Sequence, residues 1–165
     1  MNGLTMKDNK DTNDELKRFT EQLQKEILDR IRKDYSEDVI ERWQNPRNFF
    51  RMENPDGYAK VRGSCGDTME MFVKVRDDHL RECSFQTDGC GTTIACGSMA
   101  TELAADHTFN EALAMVSAQD ILKKLGGLPE ADEHCAQLAA ETLRRALADY
   151  LFHKKDPWKK NYRVE

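Results

Sequence analysis

Tyr58-Ala-Lys-Val-Arg62, Thr68-Met-Glu-Met-Phe-Val-Lys-Val-Arg76 and Leu80-Arg-Glu-Cys-Ser-Phe-Gln86 are three consecutive runs in which apolar and polar side chains alternate. A period of two sends neighbouring side chains to opposite faces, so each run reads as a strand. The connections are short and Asp77-Asp78 supplies a turn. Consecutive strands on tight connections pair antiparallel, with one face covered. Cys83 has the parity of Phe85 in the third run and reads as a core thiol rather than a ligand.

Outside this stretch the period changes to that of helices. Residues 1–12 are polar and read as a mobile arm. From Asn13, Leu16, Phe19, Leu23, Ile27, Ile31 and Tyr35 recur every three or four residues, the stripe of an amphipathic helix. That stripe either packs on its own domain or serves as a partner-binding or dimerising arm. Ser36-Glu-Asp-Val starts a second helix, which ends at Asn45-Pro46. After Thr87, Gly89-Cys90-Gly91 feeds a small-residue helix from about Thr92 to Ala105. Thr108 with Glu111 forms a capping box, Ser117 with Asp120 opens another helix, and Gly126-Gly127 stops it. A last helix spans about Asp132 to Leu151. The fold class is therefore α+β: a three-stranded antiparallel sheet with helices packed on it, plus an extra N-terminal amphipathic helix.

Composition narrows the function. With 165 residues and 39% hydrophobic content the chain can build one core, and two domains are hard to justify. A net charge of -5 lacks the basic excess that binds a phosphate backbone, so no nucleic acid is expected, although His153-Lys-Lys-Asp-Pro-Trp-Lys-Lys160 is locally basic. No apolar run approaches the roughly 20 residues that cross a bilayer, so no membrane is expected either. The start lacks the apolar centre of a secretory signal, which points to the cytoplasm. Five cysteines in a reducing compartment read as ligands, nucleophiles or core thiols before disulfides.

Three of those cysteines sit beside other chemistry: Gly63-Ser-Cys65-Gly-Asp67, Asp88-Gly-Cys90-Gly91 and Asp132-Glu-His134-Cys135. Gly66 lets a loop bend sharply enough to aim Cys65 and Asp67 at one point, although an Asp after Gly is by itself a common turn former. Glycines on both sides of Cys90 either leave room for a cluster or another protein's sulfur, or simply make a tight turn. His134 and Cys135 fall in the first turn of the last helix, where unpaired N–H groups and the dipole favour an anion. Cys135 is therefore expected to ionise more readily than an ordinary thiol of pKa about 8.5. Adjacent helical residues diverge by about 100°, so His134 and Cys135 are expected to alternate on one metal rather than share it. Thiolates select zinc or iron–sulfur chemistry, and one carboxylate or imidazole among them loosens the set. Permanent iron–sulfur carriers use four cysteines. Three plus Asp67 or His134 suggest a site built to be filled and emptied.

Together Tyr35-Ser-Glu-Asp-Val-Ile-Glu-Arg-Trp-Gln-Asn-Pro-Arg-Asn48, Gly63-Ser-Cys-Gly-Asp-Thr-Met69, Thr87-Asp-Gly-Cys-Gly-Thr-Thr-Ile-Ala95 and Leu128-Pro-Glu-Ala-Asp-Glu-His-Cys-Ala136 closely resemble the IscU and NifU N-terminal family of iron–sulfur cluster assembly scaffolds. The resemblance implies an IscU-like domain over residues 35–152, flanked by an arm and helix at 1–34 and a basic tail at 153–165. It implies a scaffold and not an enzyme: a transient [2Fe-2S] cluster is assembled on it, then passed to apo-protein cluster acceptors. In such proteins a cysteine desulfurase delivers persulfide sulfur to one cluster cysteine, for which Cys135 is the choice here, while iron and electron donors complete the cluster. Cys65, Cys90 and Cys135 match the family's cluster cysteines, Asp67 its carboxylate and His134 its histidine. Zinc can occupy the same ligands.

The chain also departs from the family. The stretch read by a heat-shock chaperone, Leu-Pro-Pro-Val-Lys, is here Leu128-Pro129-Glu130-Ala131-Asp132, so chaperone recognition is not carried over. Asp88 stands at a position commonly aromatic. Cys96 stands at one commonly small and polar, and is either a spare thiol or a packing residue. The competing reading is a zinc-bound sulfur-transfer acceptor that activates a cysteine desulfurase, a branch that typically carries an insertion before the third cysteine and lacks the histidine. A Cys-His-Asp hydrolase would leave two placed cysteines unexplained.

Overall fold

The computed structural model describes residues 7–155, with side chains from Asn13 onward. The chain forms two compact units, residues 1–34 and 35–165. In the first, α1 (Lys7–Ile31) begins six residues ahead of the expected start, in keeping with the lack of any glycine or proline between Lys7 and Ile31. Its stripe residues Leu16, Phe19, Leu23 and Ile27 are exposed. Tyr35 does not extend that stripe, because the amides of Lys33 and Asp34 turn back onto the carbonyls of Arg30 and Ile31 and end the helix. Its hydroxyl instead donates to Asp132 at 2.6 Å. Residues 1–6 of the expected arm and 156–165 of the expected tail lie outside the described residues. His153 to Lys155 continue the last helix, where Lys154 pairs with Asp78.

The second unit contains α2 (Glu37–Gln44), β1 (Gly57–Arg62), β2 (Thr68–Arg76), β3 (His79–Thr87), α3 (Gly91–Ala104), α4 (Phe109–Met115), α5 (Ala118–Lys124), a short 3-10 turn at Glu130–Asp132, and α6 (Glu133–Lys155). The strands pair antiparallel in sequence order. Met69, Met71 and Val73 of β2 oppose Val61, Ala59 and Gly57 on one side and Thr87, Phe85 and Cys83 on the other. These residues form the face on which α3 and α6 pack, contributing Ala95, Met99, Cys135, Leu138, Ala139, Leu143 and Leu147 to the same core. The opposite face is not wholly open. Phe72 is buried with its ring 5.2 Å from that of Tyr58, and Ser84 beside it is buried too. Among the described residues no helix is long and apolar enough to cross a membrane.

The register determines where the cysteines fall. Arg62 pairs with Thr68, and Met69 pairs with Thr87. The loop between β1 and β2 and the exit of β3 therefore lie at the same end of the sheet. Leu138 of α6 packs against Gly63 in that loop, 3.1 Å from where a Cβ would stand, which brings the start of the last helix to this end as well.

Candidate functional site

Three separate chain segments thus deliver their chemistry to one place. In the loop between β1 and β2, the Gly63 amide donates to the Asp67 carbonyl at 2.8 Å and the Gly66 amide to the Gly63 carbonyl at 3.1 Å. Gly66 makes the bend possible with φ +96°, a region that disfavours any side chain. The loop leaves Cys65 exposed and Asp67 half-buried. At the exit of β3, Asp88 accepts the Thr68 amide at 2.6 Å, so this departure from the family pattern serves as a brace between β2 and the turn.

Cys90 is the N-cap of α3 and is solvent-exposed. Partial burial pushes its thiol up, but the Thr92 hydroxyl at 2.9 Å and the first-turn amides of Thr92 and Thr93 pull it to a net value below the ordinary one. The flanking glycines are not open space for an outside ligand. A Cβ on Gly89 would stand 2.5 Å from Asp67 Oδ2 and 2.7 Å from Thr93 Cβ, and one on Gly91 would meet the Trp43 ring at 2.6 Å. Both positions are occupied by this chain's own side chains.

Cys135 contradicts the acidity expected of a helix start. Its residue is only 1% exposed. Burial pushes the thiol up to about 11; the Thr93 hydrogen bond opposes the rise and the fields of Cys90 and Cys65 add to it. Desolvation outweighs the helix terminus at this residue. The anion-favouring helix start belongs to Cys90 instead.

His134 and Cys135 also converge more than helical spacing predicts. Cys135 Sγ lies 3.6 Å from His134 Nε2. Tetrahedral zinc bonds of about 2.3 Å to sulfur and about 2.0 Å to nitrogen imply a ligand-to-ligand edge of about 3.5 Å, so both side chains fit one metal. The expectation that one excludes the other does not follow from this geometry. The set is gathered but not closed: among the described residues, no three His, Cys, Asp or Glu side chains already form a metal-holding group.

At its centre is a residue that motif reading passes over. Thr93 Oγ1 lies 2.8 Å from Asp67 Oδ2, 3.3 Å from Cys135 Sγ and 3.6 Å from Cys90 Sγ. The one available signal was the pair of hydroxyls, Thr92-Thr93, directly after a capping cysteine. Cys96, one turn further along α3, is fully buried. Burial pushes its thiol well up, and Cys135 and Cys90 add to the rise, so it is a packing residue behind the site. Cys83 is buried in the core as its parity indicated, its thiol pushed up to about 12 by burial.

Comparison with known proteins finds relatives over most of the chain. The sequence pattern described as the NifU-like N terminal domain matches residues 34–157. The chain is 44% identical over 117 residues to the iron–sulfur cluster assembly scaffold protein IscU 1 of Archaeoglobus fulgidus, covering 70% of this chain and 76% of that protein. It is 39% identical over 121 residues to IscU of Escherichia coli K12, covering 70% and 93% respectively. The crystal structure of the N-terminal part of a NifU-like protein from Brucella abortus superposes with a TM-score of 0.57 at 18% identity, over 71% of this chain and 94% of that one, a likeness of fold. By its sequence pattern, its relatives and its sheet-and-helix architecture, this chain belongs to the IscU and NifU N-terminal family.

Proposed function

We propose that this protein is a cytoplasmic scaffold on which a transient [2Fe-2S] cluster is assembled and from which it passes to apo-protein acceptors. The observation that carries the reading is the convergence of Cys65 and Asp67, Cys90, and His134 with Cys135 from three chain segments, close enough for the fields of Cys90 and Cys65 to reach the Cys135 thiol. The cluster is cargo. Sulfane sulfur moves from a cysteine desulfurase persulfide to a thiolate of this chain, the desulfurase cysteine leaves as thiolate, and an electron-donor protein reduces the bound sulfur to sulfide. Cys135 is the acceptor that the family pattern indicates. Its burial means that docking of the desulfurase must uncover it. A second acceptor reading is Cys90, favoured by its exposure and its Thr92 and Thr93 contacts.

Anaerobic incubation with a cysteine desulfurase, ferrous iron, a reductant and cysteine tests the function. The expected result is a protein-bound chromophore with equal iron and sulfide, a [2Fe-2S] Mössbauer signature and transfer to an apo-ferredoxin. Cluster formation that survived Cys65→Ser, Cys90→Ser and Cys135→Ser combined would overturn the reading. Stimulation of the desulfurase by zinc-loaded protein, with no cluster formed or transferred, would favour the zinc-bound sulfur acceptor.

A further inference from the structure

The ligand set comes from three segments, and the structure contains one atom that touches all three. Thr93 Oγ1 contacts Asp67 from the β1–β2 loop, Cys135 from α6 and Cys90 at its own helix start, within 3.6 Å in every case. We infer that Thr93 is the positioning residue of this site: its hydroxyl aims the Asp67 carboxylate and the Cys135 sulfur at a common point before any metal arrives. This inference rests on the ligand role proposed for Asp67 and the three cysteines.

The placement of the hydroxyl is well determined. Thr93 is fully buried and β-branched in the first turn of a helix, where χ1 has few choices. Its Cβ and Cγ2 fill the space over Gly89, each 2.7 Å from the position that a Cβ there would take. With the methyl wedged on that side, the hydroxyl faces Asp67 and Cys135. It carries one proton, which the carboxylate at 2.8 Å takes, while the Cys135 sulfur at 3.3 Å receives it in the other rotor. Only Oδ2 of Asp67 is engaged with Thr93, so Oδ1 stays available to a metal. Thr92 is different: its hydroxyl contacts the Cys90 sulfur at 2.9 Å and also bears on the Cys135 thiol, whereas the bond to the Asp67 carboxylate is made by Thr93. Hydrogen-bond partners behind metal ligands are worth about 10- to 100-fold in affinity.

Anaerobic titration of the metal-free full chain with Co2+ tests the inference, because thiolate-to-cobalt charge-transfer and ligand-field bands report the ligands without any cluster activity. Thr93→Val, which keeps the shape and loses the hydroxyl, is expected to weaken Co2+ binding about 10-fold or more and to shift the ligand-field bands toward those of Asp67→Ala. Thr93→Ser should restore both affinity and spectrum. In the Asp67→Ala background, Thr93→Val should cost much less than in the wild type. Thr93→Ala serves as the second variant should Thr93→Val fail to fold. A variant lacking the hydroxyl that bound Co2+ with wild-type affinity and spectrum would overturn the positioning role alone. So would a loss that Ser did not restore, or one that stayed undiminished without Asp67. If the wild type gave no thiolate-to-cobalt band, the ligand reading itself would fail.

Discussion

Gly89→Ala isolates the packing beneath the site from the ligands themselves. Gly89 does not adopt the left-handed backbone, so alanine brings no conformational strain of its own, and any effect must come from the added methyl. That methyl would stand 2.5 Å from Asp67 Oδ2 and 2.7 Å from both Cβ and Cγ2 of Thr93. Normal carbon contacts lie at about 3.5 Å or more, so either the carboxylate or the helix start must move by close to 1 Å. Thr93 is fully buried in α3, whereas Asp67 is half-buried on a loop. Asp67 therefore gives way first, breaking its bond to Thr93 and swinging out of the ligand set. Overpacking costs about 1–3 kcal/mol, of which the loop movement relieves a part. The expected outcome is a melting temperature lower by about 3–8 °C. Differential scanning calorimetry of the metal-free protein and an anaerobic Co2+ titration measure the two consequences. Binding should weaken by about 10-fold, the order expected when a partner behind a ligand is lost. Wild-type stability together with wild-type affinity in Gly89→Ala would refute the idea that Asp67 and Thr93 share the space over this glycine.

The remaining predictions concern the thiols. Iodoacetamide followed by peptide mass spectrometry of the metal-free protein should modify Cys65 and Cys90 first, with Cys135 much slower and Cys83 and Cys96 reacting only on unfolding, in keeping with their burial. The Cys90 rate should rise at a lower pH than that of an ordinary thiol, because its ionisation is eased, whereas Cys135 should follow a midpoint near 11. Cys83 ties stability to pH: its folded thiol is pushed up to about 12 from an ordinary 9.0, so its contribution is intact below about pH 9 and is lost progressively as the pH rises toward 12. The melting temperature of metal-free protein should fall over that window, and Cys83→Ala should fall less steeply. In sulfur transfer from a desulfurase without iron, Cys135→Ser should abolish the persulfide mass shift if Cys135 is the acceptor; a shift that persists there and vanishes in Cys90→Ser would assign the role to Cys90.

Local signals in this chain proved accurate where the structure is local. The β2 strand occupies Thr68–Arg76, the run that alternation marked, and the capping boxes at Thr108 and Ser117 open helices as read. Hairpins and caps are determined within a few residues, so period and turn chemistry suffice to find them. The errors came where distant segments meet. The acidity expected of Cys135 was argued from its helix start alone, yet α6 packs with that residue inside the core, and desolvation wins. The room expected around Cys90 was argued from its glycines, yet Asp67, Thr93 and Trp43 fill it from elsewhere. Thr93 escaped notice because its role depends on a partner 26 residues away in sequence, which no periodicity encodes.

The ligand arrangement also bears on how a scaffold could release what it builds. A hydrogen bond to a charged group contributes about 1.5–3 kcal/mol, whereas a full structural metal site contributes about 10–16 kcal/mol. The Thr93 contacts can therefore orient these side chains without competing seriously with a metal for Asp67 or Cys135. The proposed ligands are graded in access: Cys65 and Cys90 are exposed, Asp67 and His134 are intermediate, and Cys135 is buried. An acceptor's thiolates can reach only the exposed side, so exchange should start at Cys65 and Cys90 while Cys135 still holds the cargo. Once those two bonds have been replaced, the single Thr93 hydroxyl proton offers a hydrogen bond to Asp67 or, in its other rotor, to Cys135. That lowers the cost of the last release.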